Sequence, residues 1–449
     1  MNYQLRRGLT LKLAGTPGGA TFDGKQPASF AIKPGDIPGI EAIPHVLVGP
    51  GDSVLAGQPL VRVKAQPEVQ LSSPVSGRVY EIRRGPKRAV EEIVIEADRE
   101  IQFVEFRKPD LASRDEIVRL LLESGAWGLI RQRPFNVFAN PGVVPRDIFV
   151  SCFDTAPLAP DPEIVMQGRE GAFAEGLAAL ACLTEGRVHL GVRAGSKTVA
   201  VDLSASLPKI AIHQFDGPHP AGNVGVQIHH VAPLSKGQIV WTIKPQDVAI
   251  IGSLVSRGVF DARRTIAITG SNLQRTGYVQ TRLGAAVAPW VENNLKAEPA
   301  RLVSGNVLSG KQIALASHLG FYDDQLTVIA EGDQPEFLGW LLPSYPRPTM
   351  SRTFLSYYAK DREFDVTSSQ HGKKRAFVMT GEYERVVPMD VLPQHLLKAI
   401  LGRDFERAEG LGIYEVVEED FSLCEFVCTS KQPVQRILRE GLDWIRSEA

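Results

Sequence analysis

The sequence lacks several features that would place it in a common functional class. The sequence of 449 residues contains no run of about 18 apolar side chains, so no transmembrane helix is expected. Four cysteines are too few for a disulfide framework in so long a chain, and no apolar signal-peptide core follows Arg6 and Arg7. The net charge of −1 argues against non-specific nucleic-acid binding. These absences predict a cytoplasmic protein that has no nucleic acid as a partner.

Motifs that bind nucleotides are missing as well. No G-x-G-x-x-G follows the first strand predicted in an α/β pattern, residues 148–153, and no G-x-x-x-x-G-K-[ST] occurs. That strand leads instead into an acidic, proline-rich turn, residues 154–161, with few backbone N–H groups free for an anion. No Ser/His/Asp or Cys/His pairing stands out as a nucleophile motif. The sequence therefore predicts neither a phosphate-binding loop nor catalytic residues.

The cysteine ligands for an iron–sulfur cluster are incomplete. Cys424 and Cys428 match the second half of the pattern C-x2-C-x2-C-x3-C, but its first two positions hold Glu418 and Phe421. The same pattern laid on residues 377–388 has these residues at its four ligand positions: Phe377, Thr380, Tyr383 and Val387. A [4Fe–4S] cluster needs four thiolates, so no cluster is expected. The favoured interpretation of the pair is two buried thiols one helical turn apart.

A β-rich stretch follows an N-terminal arm. Residues 1–30 carry turn signals and little periodicity, and then Gly-Asp, Gly-Gln and Ser-Pro turns separate short β-runs up to about residue 100. This pattern is similar to the barrel-sandwich fold of lipoyl and biotinyl carrier domains. The hairpin tip, residues 64–68, has a proline where carriers have their modifiable lysine, so we expect this fold without a covalently bound group. Another small β domain with repeated glycine turns is the alternative.

The remaining chain shows an α/β pattern, then a β-rich pattern, then a helical pattern. Ser113 is a predicted cap of one helix, and Asp161-Pro162-Glu163 starts a second helix that Gly186 ends. Strands at 148–153, 188–192 and 210–212 alternate with these helices, which predicts a parallel α/β domain. The later segments are a β-rich region from 263 to about 340, a proline-containing linker at 341–352, and helices at 392–401 and 434–445.

The strongest candidate for a binding site is the loop that follows the strand at Ile210. Residues 215–222 read Phe-Asp-Gly-Pro-His-Pro-Ala-Gly, in which two prolines and two glycines give the backbone a defined shape. A shaped loop that leaves a buried strand is where α/β proteins commonly bind ligands. Two roles for His219 stay open. It donates a hydrogen bond to the carbonyl of a neutral ligand, or it only packs between Pro218 and Pro220.

Four of the nine histidines lie near this loop, at 213, 219, 229 and 230. Their spacing lacks an H-x3-H pair and nearby thiolate or carboxylate ligands, so no metal site is expected. On a strand, the adjacent His229 and His230 would face opposite ways.

Several motifs together resemble the A subunits of the sodium-translocating NADH:quinone reductase family. The motifs occupy residues 123–127, 131–135, 154–158, 215–222 and 381–389, and the resemblance runs from Arg7 to the last helix. It implies an α/β multidomain fold with four parts. These are an arm plus barrel-sandwich (lipoyl-like) domain over 1–105, a Rossmann-like parallel α/β domain over 106–258, a β-grasp (SLBB-like) domain over 259–342, and a helical, cluster-less ferredoxin-like domain over 343–449.

The resemblance also implies a function. It predicts a peripheral subunit on the cytoplasmic face of the bacterial inner membrane, in a six-subunit complex that couples electron transfer from NADH to ubiquinone with Na⁺ export. Its partners would be the other subunits, especially the quinone-associated membrane subunit, with no FMN and no Fe–S cluster in this chain. Ubiquinone is the implied ligand, with the loop as its contact: Phe215, Asp216, Gly217, His219, Pro220 and Gly222.

Two other functions remain as alternatives. The first is an FMN- and NADH-binding dehydrogenase subunit, as in the related C subunit of the Rnf complex and the flavoprotein subunit of complex I. The second is a purely structural scaffold without a small ligand.

Overall fold

The computed structural model describes residues 1–196, 207–332, 347–359 and 361–448. The strands, in chain order, are β1 Asn2–Gln4, β2 Ser29–Ile32, β3 His45–Val46, β4 Ser53–Val54, β5 Pro59–Arg62, β6 Gln70–Ser72, β7 Gly77–Arg84, β8 Val90–Ala97, β9 Arg131–Arg133, β10 Val137–Phe138, β11 Ile148–Ser151, β12 Val188–Arg193, β13 Ile210–Asp216, β14 Val240–Thr242, β15 Arg263–Thr269, β16 Gly277–Arg282, β17 Ala300–Ser304, β18 Lys311–Ile313 and β19 Gln325–Ala330. The α-helices are α1 Arg114–Glu123, α2 Pro162–Met166, α3 Glu170–Leu183, α4 Val224–Val231, α5 Pro245–Arg257, α6 Ala288–Val291, α7 Pro393–Leu401, α8 Phe405–Gly410, α9 Ser422–Val427 and α10 Val434–Glu448.

Two small sheets form the β-rich N-terminal part. One has the strand order β2-β8-β7-β4 and the other β3-β5-β6. Alternating apolar side chains from both sheets, such as Leu60, Leu71 and Ile93, enter one continuous core. Strands β5 and β6 pair as an antiparallel hairpin, so the predicted tip at 64–68 lies between them.

The α/β part contains a seven-stranded sheet with the order β1-β13-β12-β11-β14-β9-β10. Its first five strands are parallel, but β9 runs antiparallel to both β14 and β10. The expected parallel sheet therefore contains one antiparallel strand, β9, next to its edge strand β10. Residues such as Val150 and Leu190 pack on one face against α3 and α5, while Phe149 packs on the other face against α4. Burial on both faces explains why β11, a central strand, is almost wholly apolar.

The predicted helix starts are confirmed, but one predicted helix is two. The Ser113 hydroxyl accepts a hydrogen bond from Glu116 N at 3.4 Å, as an N-cap does. Asp161 caps α2 by accepting from Glu163 N at 2.9 Å. Helix α2 ends at Met166, and Gly168, with a left-handed φ of 74°, separates it from α3. A single glycine in the left-handed region is enough to stop a helix, and the predicted continuous helix up to Gly186 is wrong.

A five-stranded sheet and a helical domain complete the chain. The sheet has the order β16-β15-β19-β17-β18. Of the predicted linker, residues 341–346 lie outside the described residues, and residues 347–352 form no helix or strand. Both predicted C-terminal helices are present as α7 and α10. No helix in the described part of the chain is both long and apolar enough to cross a bilayer.

The N-terminal arm runs across the other domains. Strand β1 joins the edge of the seven-stranded sheet next to β13. Further along, Gly8 N donates to Arg385 O at 3.0 Å, Ala14 N to Phe364 O at 3.0 Å and Phe22 N to Tyr278 O at 2.6 Å. The arm is thus held both by backbone hydrogen bonds and by buried apolar side chains such as Leu5, Leu11 and Leu13, and its first residues cover the loop at 215–222.

Candidate functional site

The predicted loop lies at the carboxyl edge of the seven-stranded sheet, between β13 and α4. The Pro220 peptide bond is cis, and Gly222 passes close to the turn at 154–161. A Cβ on Gly222 would lie only 2.7 Å from Thr155 N, so no larger residue fits there without a backbone shift. The prediction of a shaped loop is therefore confirmed.

The loop is buried beneath the arm. Phe215 is fully buried, and the Tyr3 ring stacks on it at 4.8 Å between centroids. Leu9 N donates to His219 O at 2.8 Å. Of the predicted site residues, Asp216 is exposed, Gly217 is half-buried, and Phe215, His219, Pro220 and Gly222 are buried. The structure brings the six predicted residues into one loop and packs most of them inside the protein.

His219 is the chemically distinctive side chain of the loop. Its Nδ1 lies 3.1 Å from Thr155 Oγ1, and that oxygen also accepts a hydrogen bond from Gly222 N at 2.9 Å. A hydroxyl oxygen can accept two hydrogen bonds, so Thr155 Oγ1 either donates to Nδ1 or accepts from it, depending on the His219 tautomer. Nε2 is buried and has no hydrogen-bond partner among the described residues. Burial lowers the pKa of His219 to about 4, so the ring is neutral at pH 7.

The turn at 154–161 offers few free N–H groups. Ala156 N donates to Asp154 Oδ1 at 2.8 Å, and Asp161 N donates to Tyr278 Oη at 2.8 Å. Ser151 Oγ at the strand end donates to Gly222 O at 2.8 Å. Two backbone N–H groups of the turn therefore already have partners within the protein, and the poor fit of this turn to a phosphate stays a prediction.

Sequence reasoning missed the acidic group that lies against the start of α4. A Cβ on Gly225, in the first turn of α4, would lie 2.4 Å from Asp420 Oδ2. Asn223, the residue just before α4, donates from Nδ2 to Glu419 O at 3.0 Å. The helical domain thus places a carboxylate where the positive end of a helix would otherwise bind an anion.

Arg133 joins this acidic group to the α/β domain. Its Nη2 lies 2.8 Å from Glu419 Oε1, and its Nη1 lies 3.5 Å from Asp420 Oδ2. Arg133 and Asp420 are each 1% exposed. Burial opposes ionisation of Glu419, but the charges of Arg133 and neighbouring cations outweigh it and lower its pKa. Burial raises the pKa of Asp420 to about 6, and Arg133 only partly offsets this.

The other histidines form contacts that the sequence did not reveal. His229 and His230 lie on α4, so the strand geometry considered for them does not apply. His229 Nδ1 lies 2.7 Å from Glu415 Oε2, and His189 Nδ1 lies 2.9 Å from His213 Nε2 on adjacent strands. Among the described residues, no group of three or more His, Cys, Asp or Glu side chains is arranged to hold a metal ion.

The two C-terminal cysteines are buried free thiols. Cys424 lies in α9 and Cys428 directly follows that helix. Tyr383 Oη donates to Cys428 Sγ at 2.9 Å, and Gln432 N donates to the same sulfur at 3.3 Å. Burial raises the pKa of Cys424 well above its ordinary value, so this thiol stays protonated. The interpretation of the pair as buried thiols one turn apart agrees with this geometry.

Comparison with known proteins identifies the family. Three family models match in succession: the NqrA N-terminal barrel-sandwich hybrid domain over residues 3–98, the NqrA second alpha/beta domain over 112–260, and the NQRA C-terminal domain, a model of the SLBB type, over 265–314. A similarity to a solved structure, a chain of an NAD⁺-reducing [NiFe]-hydrogenase, spans 76% of this chain and 62% of the hydrogenase chain, at 12% identity and a TM-score of 0.41. No conclusion rests on this similarity.

Full-length relatives agree with the family models. The chain is 38% identical to the A subunit of the Na(+)-translocating NADH-quinone reductase of Serratia proteamaculans, with 99% of each chain covered. It is 38% identical to the corresponding protein of Rhodopirellula baltica over 99% of this chain and 98% of that one. The Histophilus somni protein of the same name is 37% identical with 99% of each chain covered. The chain therefore belongs to the NqrA family, the A subunits of Na⁺-translocating NADH-quinone reductases.

Proposed function

We propose that this chain works in the Na⁺-translocating NADH:quinone reductase as a peripheral subunit that holds no flavin, no nicotinamide and no iron–sulfur cluster. It would lie on the cytoplasmic face of the inner membrane beside the other five subunits, which would carry those cofactors. The chain's own contribution is to hold four domains in one arrangement and to present surfaces to the membrane subunits. Electron transfer from NADH to quinone and Na⁺ export are then activities of the complex.

The observation that carries this proposal is the carboxylate of Asp420 at the start of α4. A phosphate of FMN or NADH that bound there would meet the negative charges of Asp420 and Glu419 in a buried, low-dielectric site. The neighbouring N–H groups of Ala156 and Asp161 already have partners. The position after β13 is therefore filled by the protein's own side chains.

The helical domain supports the absence of a cluster in a second way. In two-cluster ferredoxins the fourth cysteine of each motif ligates the other cluster. The pattern puts Tyr383 at the third position of the first motif and Cys428 at the fourth position of the second, and these two side chains touch at 2.9 Å. We infer a ferredoxin-like helical domain in which a tyrosine fills one ligand position.

The finer domain types and limits form part of the same proposal. The first matched range, 3–98, lies within the proposed domain 1–105, and the second, 112–260, ends two residues beyond the proposed domain 106–258. The third, 265–314, lies within the proposed domain 259–342. The parallel strands β11 to β13 support a Rossmann-like second domain. The five-stranded mixed sheet supports a β-grasp third domain.

The test is the cofactor content of the purified chain. We expect no flavin absorbance, no iron, and no saturable change of tryptophan fluorescence with FMN or NADH, whereas the assembled reductase binds NADH. A yellow preparation that contains stoichiometric FMN would establish the alternative, an FMN- and NADH-binding dehydrogenase subunit.

A quinone contact at the loop is a second proposal, and His219 favours it. Nε2 of this neutral imidazole is buried and has no partner among the described residues, and in the tautomer that carries the proton on Nε2 it can donate to a quinone carbonyl without bringing a charge into an apolar site. Phe215 beside it supplies an aromatic face. Since Tyr3 covers Phe215, a quinone would reach the loop only after the first residues of the arm move.

Titration of the chain with a short-chain ubiquinone tests this contact. We expect His219→Ala and Phe215→Ala to weaken binding by about ten-fold, the loss of one hydrogen bond or one aromatic contact. Tyr3→Ala, which removes the cover, should leave binding intact or strengthen it. Equal weak binding in all four proteins would reject the loop as the site and favour a scaffold role.

A further inference from the structure

A surface patch on the helical domain combines exposed lysines with exposed apolar side chains. We call it the basic–apolar patch and define it by six residues: Lys373, Lys374, Val378, Met379, Lys398 and Leu401. The exposed fractions of its apolar members are 52% for Val378, 46% for Met379 and 55% for Leu401. Isolated exposed apolar residues are ordinary, but three large ones among exposed lysines mark an interaction surface.

Two contacts bring the parts of the patch together. Thr380 N donates to Gln394 Oε1 at 2.9 Å, which fixes the segment 377–380 beside the first turn of α7. Lys398 Nζ lies 5.4 Å from the centroid of the Phe377 ring, which fixes the same segment beside the end of α7. Leu401 is three residues beyond Lys398 and shares its side of the helix. These contacts place Val378, Met379, Lys398 and Leu401 in one area, and Lys373 and Lys374 lie a few residues before it in the chain.

The charge of this area is positive. Lys373 and Lys374 form no ion pair or hydrogen bond through their side chains within the described chain, and both are exposed. Among nearby carboxylates, Glu382 pairs with Arg385 at 2.7 Å and Glu384 accepts from Gln394 at 3.1 Å. Asp390 and Asp404 are exposed, and Asp404 caps α8. The lysines are thus left without a carboxylate of their own.

The composition of the patch favours a lipid surface over a protein. Protein interfaces are depleted of lysine and enriched in tyrosine, tryptophan and arginine at their centres. Exposed lysines with flexible aliphatic neighbours instead match an anionic headgroup layer above hydrocarbon. We propose that the basic–apolar patch binds the surface of an anionic phospholipid bilayer. This extends the proposed peripheral placement of the subunit, which co-purification with the membrane subunits tests independently.

Sedimentation of the full chain with vesicles tests the proposal. We expect binding to vesicles of phosphatidylglycerol and phosphatidylethanolamine, weakening as ionic strength rises, and much weaker binding to phosphatidylcholine. Lys373→Glu with Lys374→Glu should weaken the binding by at least about ten-fold, since each lysine near an anionic surface contributes about five-fold. Val378→Ser with Met379→Ser should weaken it by a smaller factor that does not depend on salt.

A matched control separates the patch from the net charge of the protein. Lys87 and Arg88 are adjacent, exposed cations at the turn between β7 and β8, and their double replacement by Glu changes the net charge equally. That control should keep full vesicle binding. Equal losses in both double variants, or no binding of the wild-type chain to anionic vesicles at low salt, would overturn the proposal. Loss of assembly with the membrane subunits by the patch variant, without vesicle binding, would assign the patch to a protein partner and overturn it too.

Discussion

Two buried ionic junctions join the α/β domain to its neighbours, and they differ in charge balance. At the first, which we call the β-domain clamp, Arg264 pairs with Asp247 and lies 2.7 Å from Asp324, and Lys244 lies 3.3 Å from Asp324. At the second, the loop junction, Arg133 pairs with both Glu419 and Asp420. Two cations thus face two carboxylates at the clamp, but one arginine faces two carboxylates beside the loop.

Each junction contains one carboxyl group whose pKa is lowered and one whose pKa is raised. Burial opposes ionisation of Asp324, but the charges of Lys244 and Arg264 outweigh it and lower its pKa. At the loop junction burial wins, and it raises the pKa of Asp420 to about 6. At the clamp burial likewise raises the pKa of Asp247, and Arg264 only partly offsets this. At the loop junction, the pKa of Asp420 is close to physiological pH, and the neutral His219 lies nearby.

The largest expected effect comes from breaking the clamp. Asp247→Ala leaves Arg264, which is 2% exposed, without one of its two carboxylates. Removal of one partner from a buried ion pair costs about 3–5 kcal/mol of unfolding free energy. Urea unfolding followed by tryptophan fluorescence measures it, with Glu440→Ala in the exposed Arg436–Glu440 pair as a control that should cost less than about 0.5 kcal/mol. Similar costs for both variants would show that the clamp contributes no more than a surface pair.

The pH dependence of the loop junction comes next in size. The folded pKa of Asp420 lies above that of an unfolded aspartate, so its contribution to stability is complete below about pH 4 and is lost as the pH rises through about 6. The folded pKa of His219, about 4, lies below its ordinary 6.5. Its contribution is complete above pH 6.5 and is lost as the pH falls through about 4. The two groups therefore oppose each other over this window.

Single substitutions should separate these two contributions. As the pH rises from 4 to 7, the unfolding free energy of Asp420→Asn should increase by about 2 kcal/mol relative to that of the wild type, because asparagine cannot become charged. His219→Gln should change by a similar amount in the opposite direction, gaining as the pH falls. Unfolding curves measured across this pH range give the slope of unfolding free energy against pH for each variant. Subtracting the wild-type curve removes the contributions of all other titrating groups, which the proteins share. Parallel slopes for the two variants would contradict the assignment.

The smallest expected effects come from the neutral hydrogen bonds of the two junctions. Asn223→Ala removes one bond to Glu419 O at the loop junction and should cost about 1 kcal/mol. Gln246→Ala removes two bonds to the backbone of Thr265 at the clamp, at 3.0 Å and 2.8 Å, and should cost about 2 kcal/mol. The same urea series measures both. A larger loss for Asn223→Ala would reverse the ranking of the two junctions.

Local signals explain the parts of the fold that sequence could predict. The Ser113 cap, the strand from Ile210 and helices α7 and α10 depend on residues close in sequence, and each is where it was expected. The break at Gly168 was missed because the apolar period continues across it, while the stop depends on one left-handed residue. The domain family was predictable because its motifs are long and cover most of the chain.

The surroundings of the loop could not be predicted, because they come from distant segments. Arg133 and Asp420 are 287 residues apart, and nothing in either local sequence indicates the other. The arm that covers Phe215 is held by buried leucines such as Leu5 and by backbone hydrogen bonds, and its sequence does not indicate which distant segments it contacts. The shape of the loop was thus predictable from its prolines and glycines, whereas its burial was not. The quinone contact of the six loop residues stays a prediction.

The central claim is that the Asp420 carboxylate occupies the start of α4, the position at which we propose that no cofactor phosphate binds. A double-mutant cycle of Gly225→Ala and Asp420→Ala tests it most directly. Gly225→Ala should cost about 1–3 kcal/mol in the wild type, because its Cβ would lie 2.4 Å from Asp420 Oδ2. In the Asp420→Ala background the same change should cost nothing or stabilise α4, since alanine is the better helix former. An equal cost of Gly225→Ala in both backgrounds would contradict the claim.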